Sequence, residues 1–147
     1  MEKYNFEFKN YNQILDVILN SIEIISKLKL SQNSYWFNKS NLFTLIIELT
    51  KIDTNKLVLE DLERSLFDLE NKVDLYFNGD EDDIKLLTSD ETKFFEASRQ
   101  GSHELSAREH RGKVISNILK QSSIENNDKS IKVESSEEKN IIYLNEK

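Results

Sequence analysis

The 147-residue chain has no cysteine, no proline and only three glycines, Gly79, Gly101 and Gly112. The absence of cysteine excludes disulfides, a thiolate nucleophile and cysteine-ligated metal clusters. The shortage of glycine and proline argues against glycine-rich phosphate loops and turn-dense β sandwiches. The longest mostly apolar run, residues 42–47, is far shorter than the ~20 residues that span a bilayer. The amino terminus also lacks the features of a secretory signal, so we expect a cytoplasmic protein with no membrane partner.

Hydrophobic residues recur at helical spacing in five segments, approximately residues 11–30, 42–51, 56–77, 88–101 and 106–121. We therefore predict an all-α fold, a single bundle of about five helices that occupies residues 1–121. Residues 122–147 are rich in serine, asparagine, glutamate and lysine, a composition that predicts a disordered acidic tail. The short apolar segment 141–144 is the exception in this tail and is expected to dock on the domain or on a partner.

The first helix has the widest apolar face in the chain. Its periodic residues are Ile14, Ile18, Ile22, Ile25 and Leu28, and the face is widened by Leu15, Val17, Leu19 and Ile24. A face of that width predicts a helix that is more buried than an ordinary surface helix. The second helix is apolar on nearly all sides, which places it in the centre of the bundle.

Helix starts are indicated by capping residues. Thr88 with Glu91, and Ser106 with Glu109, fit the capping box, in which a hydroxyl and a carboxylate three residues apart bond each other's free amides. Asn38 or Ser40 is predicted to cap the second helix, and Asp53 or Thr54 the third. The aromatic cluster 35–37, centred on Trp36, is expected in the core rather than stacked on bases.

No metal or catalytic site is predicted. Asp80, Asp82 and Glu91 match three positions of a calcium loop, but Ile84 and Lys85 stand where that loop needs an oxygen ligand and a glycine. The two histidines, seven residues apart, match no zinc spacing. We therefore expect no cofactor, no small-molecule ligand and no catalytic residue.

The basic residues are concentrated in one segment of this acidic chain, whose net charge is −7. Arg99, Arg108 and Arg111 lie close together with His103 and Lys113, and residues 99–113 carry a local charge of +2. Guanidinium groups suit bidentate contact with phosphate or carboxylate, so these five residues are the candidate contacts to nucleic acid or a partner.

A structural role for part of this segment is the alternative. Arg111 precedes Ile115 by one turn and lies in line with the apolar stripe, where a partly buried arginine paired to a carboxylate is common. Gly112 inside a helix predicts close packing against another backbone or chain.

Two stretches together resemble a known family. The first runs from Trp36 to Leu45, and the second from Phe94 through Gly101 to Arg108–Arg111 and the helix that follows. Their order is similar to the helical C-terminal region of bacterial proteins with a ParB-like nuclease domain, the group that includes the Gmr type IV restriction systems of phage defence.

The resemblance implies a supporting role. The Asp-Gly-Gln-Arg type motif of the family's nuclease domain is absent here, so no catalytic residue is carried over. We expect a split-off module if Met1 is the natural start, and otherwise a fragment of a longer protein. Its partner is then a nuclease domain or subunit, or DNA. A stand-alone acidic protein that inhibits a basic partner, such as an antitoxin, is the second hypothesis.

Overall fold

The computed structural model describes residues 10–99 and 104–124. Their helices are α1 (Tyr11–Lys27), α2 (Lys39–Leu49), α3 (Leu59–Glu70), α4 (Val73–Asn78), α5 (Glu81–Ile84), α6 (Ser89–Arg99) and α7 (Leu105–Gln121). Single 3₁₀ turns occur at Tyr35–Phe37 and Thr54–Lys56. These residues contain no strand, only an isolated bridge between Leu57 and Ser123. The predicted all-α class is confirmed, with five helices of 11 residues or more. The segment 141–144 and most of the predicted tail lie outside the described residues.

The core forms where α7 packs between α2, α6 and α3. Trp36 is fully buried, and its ring centroid lies 5.6 Å from that of Phe94. Its indole N–H donates to the Leu66 carbonyl at 2.9 Å, so the buried donor is satisfied. Trp36 is therefore a core residue, as predicted. The buried apolar cluster also includes Leu45, Leu49, Leu62, Phe95, Ile115 and Leu119.

Two of the predicted caps are present and one is not. Asn38 caps α2 by accepting from the Asn41 amide at 3.0 Å, which decides between Asn38 and Ser40. Thr88 and Glu91 form the predicted capping box, with bonds of 2.8 and 3.2 Å. The box predicted at Ser106 is wrong, because the N-cap of α7 is Glu104, two residues earlier, and its side chain makes no capping bond.

The predicted third helix, residues 56–77, is interrupted at both ends. Asp53 caps only the 3₁₀ turn, and Val58 is extended because its N–H donates to the Ser122 carbonyl at 2.8 Å. After Glu70 the chain turns, and α4 starts anew at Val73. This turn brings Tyr76 onto Phe95, with ring centroids 5.3 Å apart. Tertiary contacts thus override a continuous helical pattern.

The first half of α1 is not buried, contrary to the prediction. Ser21, Ile24 and Ile25 are its buried residues, whereas the Ile14 side chain is 49% exposed. The apolar side chains left in solvent are Tyr11, Ile14, Leu15, Val17, Leu19 and Ile22. The 17 residues of α1 measure roughly 25 Å, and α2, its main neighbour among the described helices, only roughly 16 Å. The amino-terminal turns of α1 therefore extend past the helix against which it packs.

A matched pair of isoleucines tests this arrangement. Ile115→Ala should lower the free energy of unfolding by about 2–5 kcal/mol, because Ile115 is fully buried in the core. Ile14→Ala should change it by less than about 0.5 kcal/mol, as an exposed position does. Urea denaturation of both variants measures the two values, and equal losses would mean that the start of α1 is covered.

Glu91 gives a prediction for pH. Burial raises the pKa of its carboxyl, but hydrogen bonds from Lys72 and Thr88 outweigh burial and hold the pKa below its ordinary 4.5. Stability from a lowered pKa is present above the ordinary pKa and is lost as the pH falls through the folded one. The difference in unfolding free energy between wild type and Glu91→Gln should therefore be largest at neutral pH and shrink below pH 4.5. A difference that stays constant across this range would contradict the assignment.

Candidate functional site

The structure separates the residues of the predicted basic segment. Arg108 and Lys113 border a cleft between α2 and α7, whereas Arg99 borders a different cleft near α4. Arg111 lies in the interior. His103 lies outside the described residues. The predicted cluster is therefore not one surface, and two of its five members share a site.

The α2–α7 cleft has a volume of about 570 Å³. Five residues of or next to α2 line it, namely Phe43, Thr44, Ile47, Glu48 and Lys51, together with Arg108, Glu109, Gly112, Lys113 and Ser116 of α7. Phe43 and Ile47 supply the apolar part of this lining, and charged side chains stand on both walls. A cleft of this size suits a group that combines apolar surface with charge.

The cations of the α2–α7 cleft differ in how well they are neutralised. Lys51 contacts the mostly buried Glu48 carboxylate at 2.5 Å. Lys113 lies 3.4 Å from Asp90, and both side chains are more than half exposed, so this pair is weak. Arg108 is exposed and makes no ion pair with a residue that the structure describes. Arg108 is thus the cation most available to an external anion.

Gly112 lets α2 and α7 approach each other. A Cβ atom built at Gly112 would lie 2.8 Å from Oε1 of Glu48, closer than two such atoms normally come. The prediction of close packing against another backbone or chain is therefore wrong in its partner, because the close neighbour of Gly112 is the end of the Glu48 side chain of α2. The Glu48 carboxylate consequently forms the floor of the α2–α7 cleft.

Arg111 is an internal residue, so its prediction as a contact to nucleic acid or a partner is wrong. Its side chain is 1% exposed. The guanidinium donates to the Thr44 hydroxyl at 3.3 Å and to the Ala97 carbonyl. Burial lowers the pKa of Arg111, and the nearby charge of Arg108 acts in the same direction. Arg111 therefore joins α2, α6 and α7, as the structural alternative predicted for its location.

The sequence reasoning missed the polar seam of which Arg111 is part. Asn41, Thr44 and Glu48 follow each other at three- and four-residue steps on the inner side of α2. Asn41 accepts from the Ser98 hydroxyl of α6 at 2.9 Å and donates to the Tyr35 carbonyl at 3.3 Å. Every buried side-chain nitrogen and oxygen in the described part of the chain has a partner. The helical spacing of these three polar residues is the signal that could have revealed the seam.

Arg99 and His110 border the second cleft, of about 490 Å³. The Arg99 guanidinium carbon lies 5.9 Å from the centre of the Phe77 ring, a cation–π distance. Glu96 and Glu104 line the same cleft and balance its cations. This cleft therefore offers no local excess of positive charge comparable with that of the α2–α7 cleft.

An exposed apolar surface on α1 is the second feature that sequence reasoning missed. We call it the α1 stripe; its residues are Tyr11, Leu15, Ile18, Leu19 and Ile22. At about 100° per residue these side chains share one side of the helix. Ile22 also borders an apolar groove of about 470 Å³ between α1 and α2, with Phe37, Leu42 and Ile46. The α1 stripe and this groove are therefore continuous.

Residues that could hold a metal do not come together in the described ranges, where no group of three or more His, Asp or Glu side chains is suitably placed. Asp80 instead caps α5, and Glu91 caps α6 and pairs with Lys72.

Within the same ranges, no helix has the length and apolar character needed to cross a membrane.

Arg111 and Arg108 provide a matched test, because the first is a buried structural residue and the second is exposed at the edge of the cleft. Arg111→Ala should lower the free energy of unfolding by at least about 2 kcal/mol, because buried acceptors lose their donor and a cavity forms. Arg108→Ala should lower it by less than about 0.5 kcal/mol, since the side chain is exposed. Chemical denaturation gives both values, and a stable Arg111→Ala variant would contradict the structural role.

Comparison with protein-family models, with curated proteins and with solved structures returned no match for this chain. The resemblance to the helical region of ParB-like proteins therefore stays a prediction.

Proposed function

We propose that this chain is a non-catalytic helical module that binds a protein partner. The observation that supports it most directly is the α1 stripe, in which four of the five large apolar side chains are exposed and Ile18 is half-buried. Contiguous exposed apolar surface is typical of protein contact sites and is otherwise rare. The resemblance to ParB-like restriction proteins points to a nuclease domain or subunit of a phage-defence system as the partner.

DNA contact is the less favoured form of this proposal. Lys51, Arg108 and Lys113 border the α2–α7 cleft, but Glu48 and Glu109 do too, so its formal charge is only +1. Proteins that bind a phosphate backbone neutralise several phosphates with an uncompensated basic surface. A mainly apolar surface with a small charged border is better suited to a protein.

The test is complex formation with the product of a neighbouring reading frame that encodes a ParB-like nuclease domain. Co-expression followed by size-exclusion chromatography with light scattering should give a stable complex. The double variant Leu15→Glu/Leu19→Glu should weaken it by at least about tenfold, because two charges would be buried in an apolar contact.

Phe67→Glu is the control, since Phe67 is an exposed apolar residue of α3, away from the α1 stripe. This variant should bind like the wild type, and circular dichroism should show unchanged helicity for both variants. Absence of a complex, or equal weakening by Phe67→Glu, would overturn the proposal.

The second candidate is an acidic protein that inhibits a basic partner. Residues 60–91 hold twelve carboxylates against three cations, a net charge of −9, which favours this reading. Such a complex would weaken steeply as salt rises. It would also survive Leu15→Glu/Leu19→Glu but lose affinity in Glu60→Gln/Asp68→Asn, which removes two exposed charges of α3. These responses separate the two candidates.

A further inference from the structure

We infer that the partner presents an acidic amphipathic helix, and that this helix lies along the outer side of α2. Its apolar side chains would cover Phe43, Ile46 and Ile47, and its carboxylates would pair with Arg108 and Lys113. The inference rests on the proposed function, because it names the chemistry of the bound partner and the surface that receives it.

The outer side of α2 is apolar where a helix normally presents polar groups to water. Phe43 is 58% exposed, and Ile46 and Ile47 are half-buried. The inner side holds the buried polar residues Asn41 and Glu48 beside two buried leucines of the core. A surface helix normally presents polar groups on its outer side, so an apolar outer side is unusual. This apolar outer side indicates that it is covered in the working complex.

This ridge lies between two depressions. On one side is the apolar groove of about 470 Å³, to which α1 contributes Ile22 and Ile25. On the other side is the α2–α7 cleft of about 570 Å³. A ridge with a groove beside it matches helix-in-groove recognition, in which apolar side chains at three- and four-residue spacing fill the depressions.

The charged side chains of this surface indicate which charge the partner helix carries. The cations of this surface stand along the α7 edge, where Arg108 makes no ion pair with a described residue and Lys113 makes only the weak one to Asp90. A guanidinium binds a carboxylate through two parallel hydrogen bonds. Acidic residues along one edge of the incoming helix would satisfy both cations. Two carboxylates of this chain also lie at this edge, Asp90 in its weak pair with Lys113 and Glu109 next to Arg108 in sequence, and the cleft still carries a formal charge of +1.

A second copy of the chain fits this surface poorly. In a two-fold contact the surface meets itself, so the three cations of one cleft approach those of the other, and each cleft supplies only two carboxylates, Glu48 and Glu109. The acidic region of another copy would reach Arg108 only in a head-to-tail contact, which propagates unless it closes into a ring. A different protein avoids both problems.

The experiment is a titration of the full chain with synthetic peptides, followed by amide chemical shifts. One peptide of about 18 residues, roughly five helical turns, has leucines at three- and four-residue spacing and glutamates along one edge. The matched peptide has lysines in place of the glutamates. The glutamate peptide should shift the amides of residues 43–51 and 105–116 and bind at least about tenfold more tightly than the lysine peptide.

Charge reversal provides the decisive comparison. Arg108→Glu/Lys113→Glu should reverse the preference, so that the lysine peptide binds more tightly. Arg64→Glu/Lys85→Glu changes the net charge equally at exposed positions of and beside α3 and α5, and should leave the preference unchanged. Both double variants should keep wild-type helicity.

Three results would overturn the inference. These are equal binding of the two peptides, shifts confined to other residues, and stronger binding of a DNA duplex of about 20 base pairs, two helical turns, at the same amides. If the peptides fail while Leu15→Glu/Leu19→Glu still disrupts the complex with the nuclease-domain protein, the proposed function stands without this inference. If neither the α1 variants nor the variants beside α2 weaken any complex, the proposed function and this inference both fail.

Discussion

The guanidinium of Arg111 is enclosed between the Thr44 hydroxyl of α2 and the Ala97 carbonyl of α6. A buried charge destabilises a fold unless hydrogen bonds satisfy it, so these helices must keep the spacing that the bonds require. The same spacing leaves room at Gly112 for the Glu48 carboxylate and opens the α2–α7 cleft beside it. Arg108, one turn before Arg111, is thereby held at the edge of that cleft.

The polar seam also explains why α2 has an apolar outer side. Its inner side uses Asn41, Thr44 and Glu48 to bond neighbouring helices, in addition to the core residues Leu45 and Leu49. The remaining apolar residues of this short helix consequently face outward. Together with the α1 stripe they give one side of the domain an unusually large exposed apolar area, which supports a role in binding a protein.

The negative charge of the chain is concentrated in residues 60–91, apart from the apolar surface of α1 and α2. Residues 60–91 carry a net charge of −9, whereas the rest of the chain sums to +2 against the total of −7. The acidic region keeps the protein from binding phosphate backbones indiscriminately and attracts cations over a Debye length of about 8 Å. A partner helix on α2, as proposed above, would meet the cations beside α2 at contact distance, where salt screens charges less.

Residue patterns alone predicted the helical class, the buried position of Trp36 and the capping box at Thr88. These features depend on residue type and on neighbours a few positions away, which periodicity and capping patterns record. The same patterns did not determine which half of α1 is covered, or that Arg111 points inward while Arg108 points outward. Those outcomes depend on the length of α2 and on the hydrogen-bond acceptors that α2 and α6 supply. Only the tertiary structure decided them, because the apolar pattern of a helix is the same whether it meets its own core or another protein.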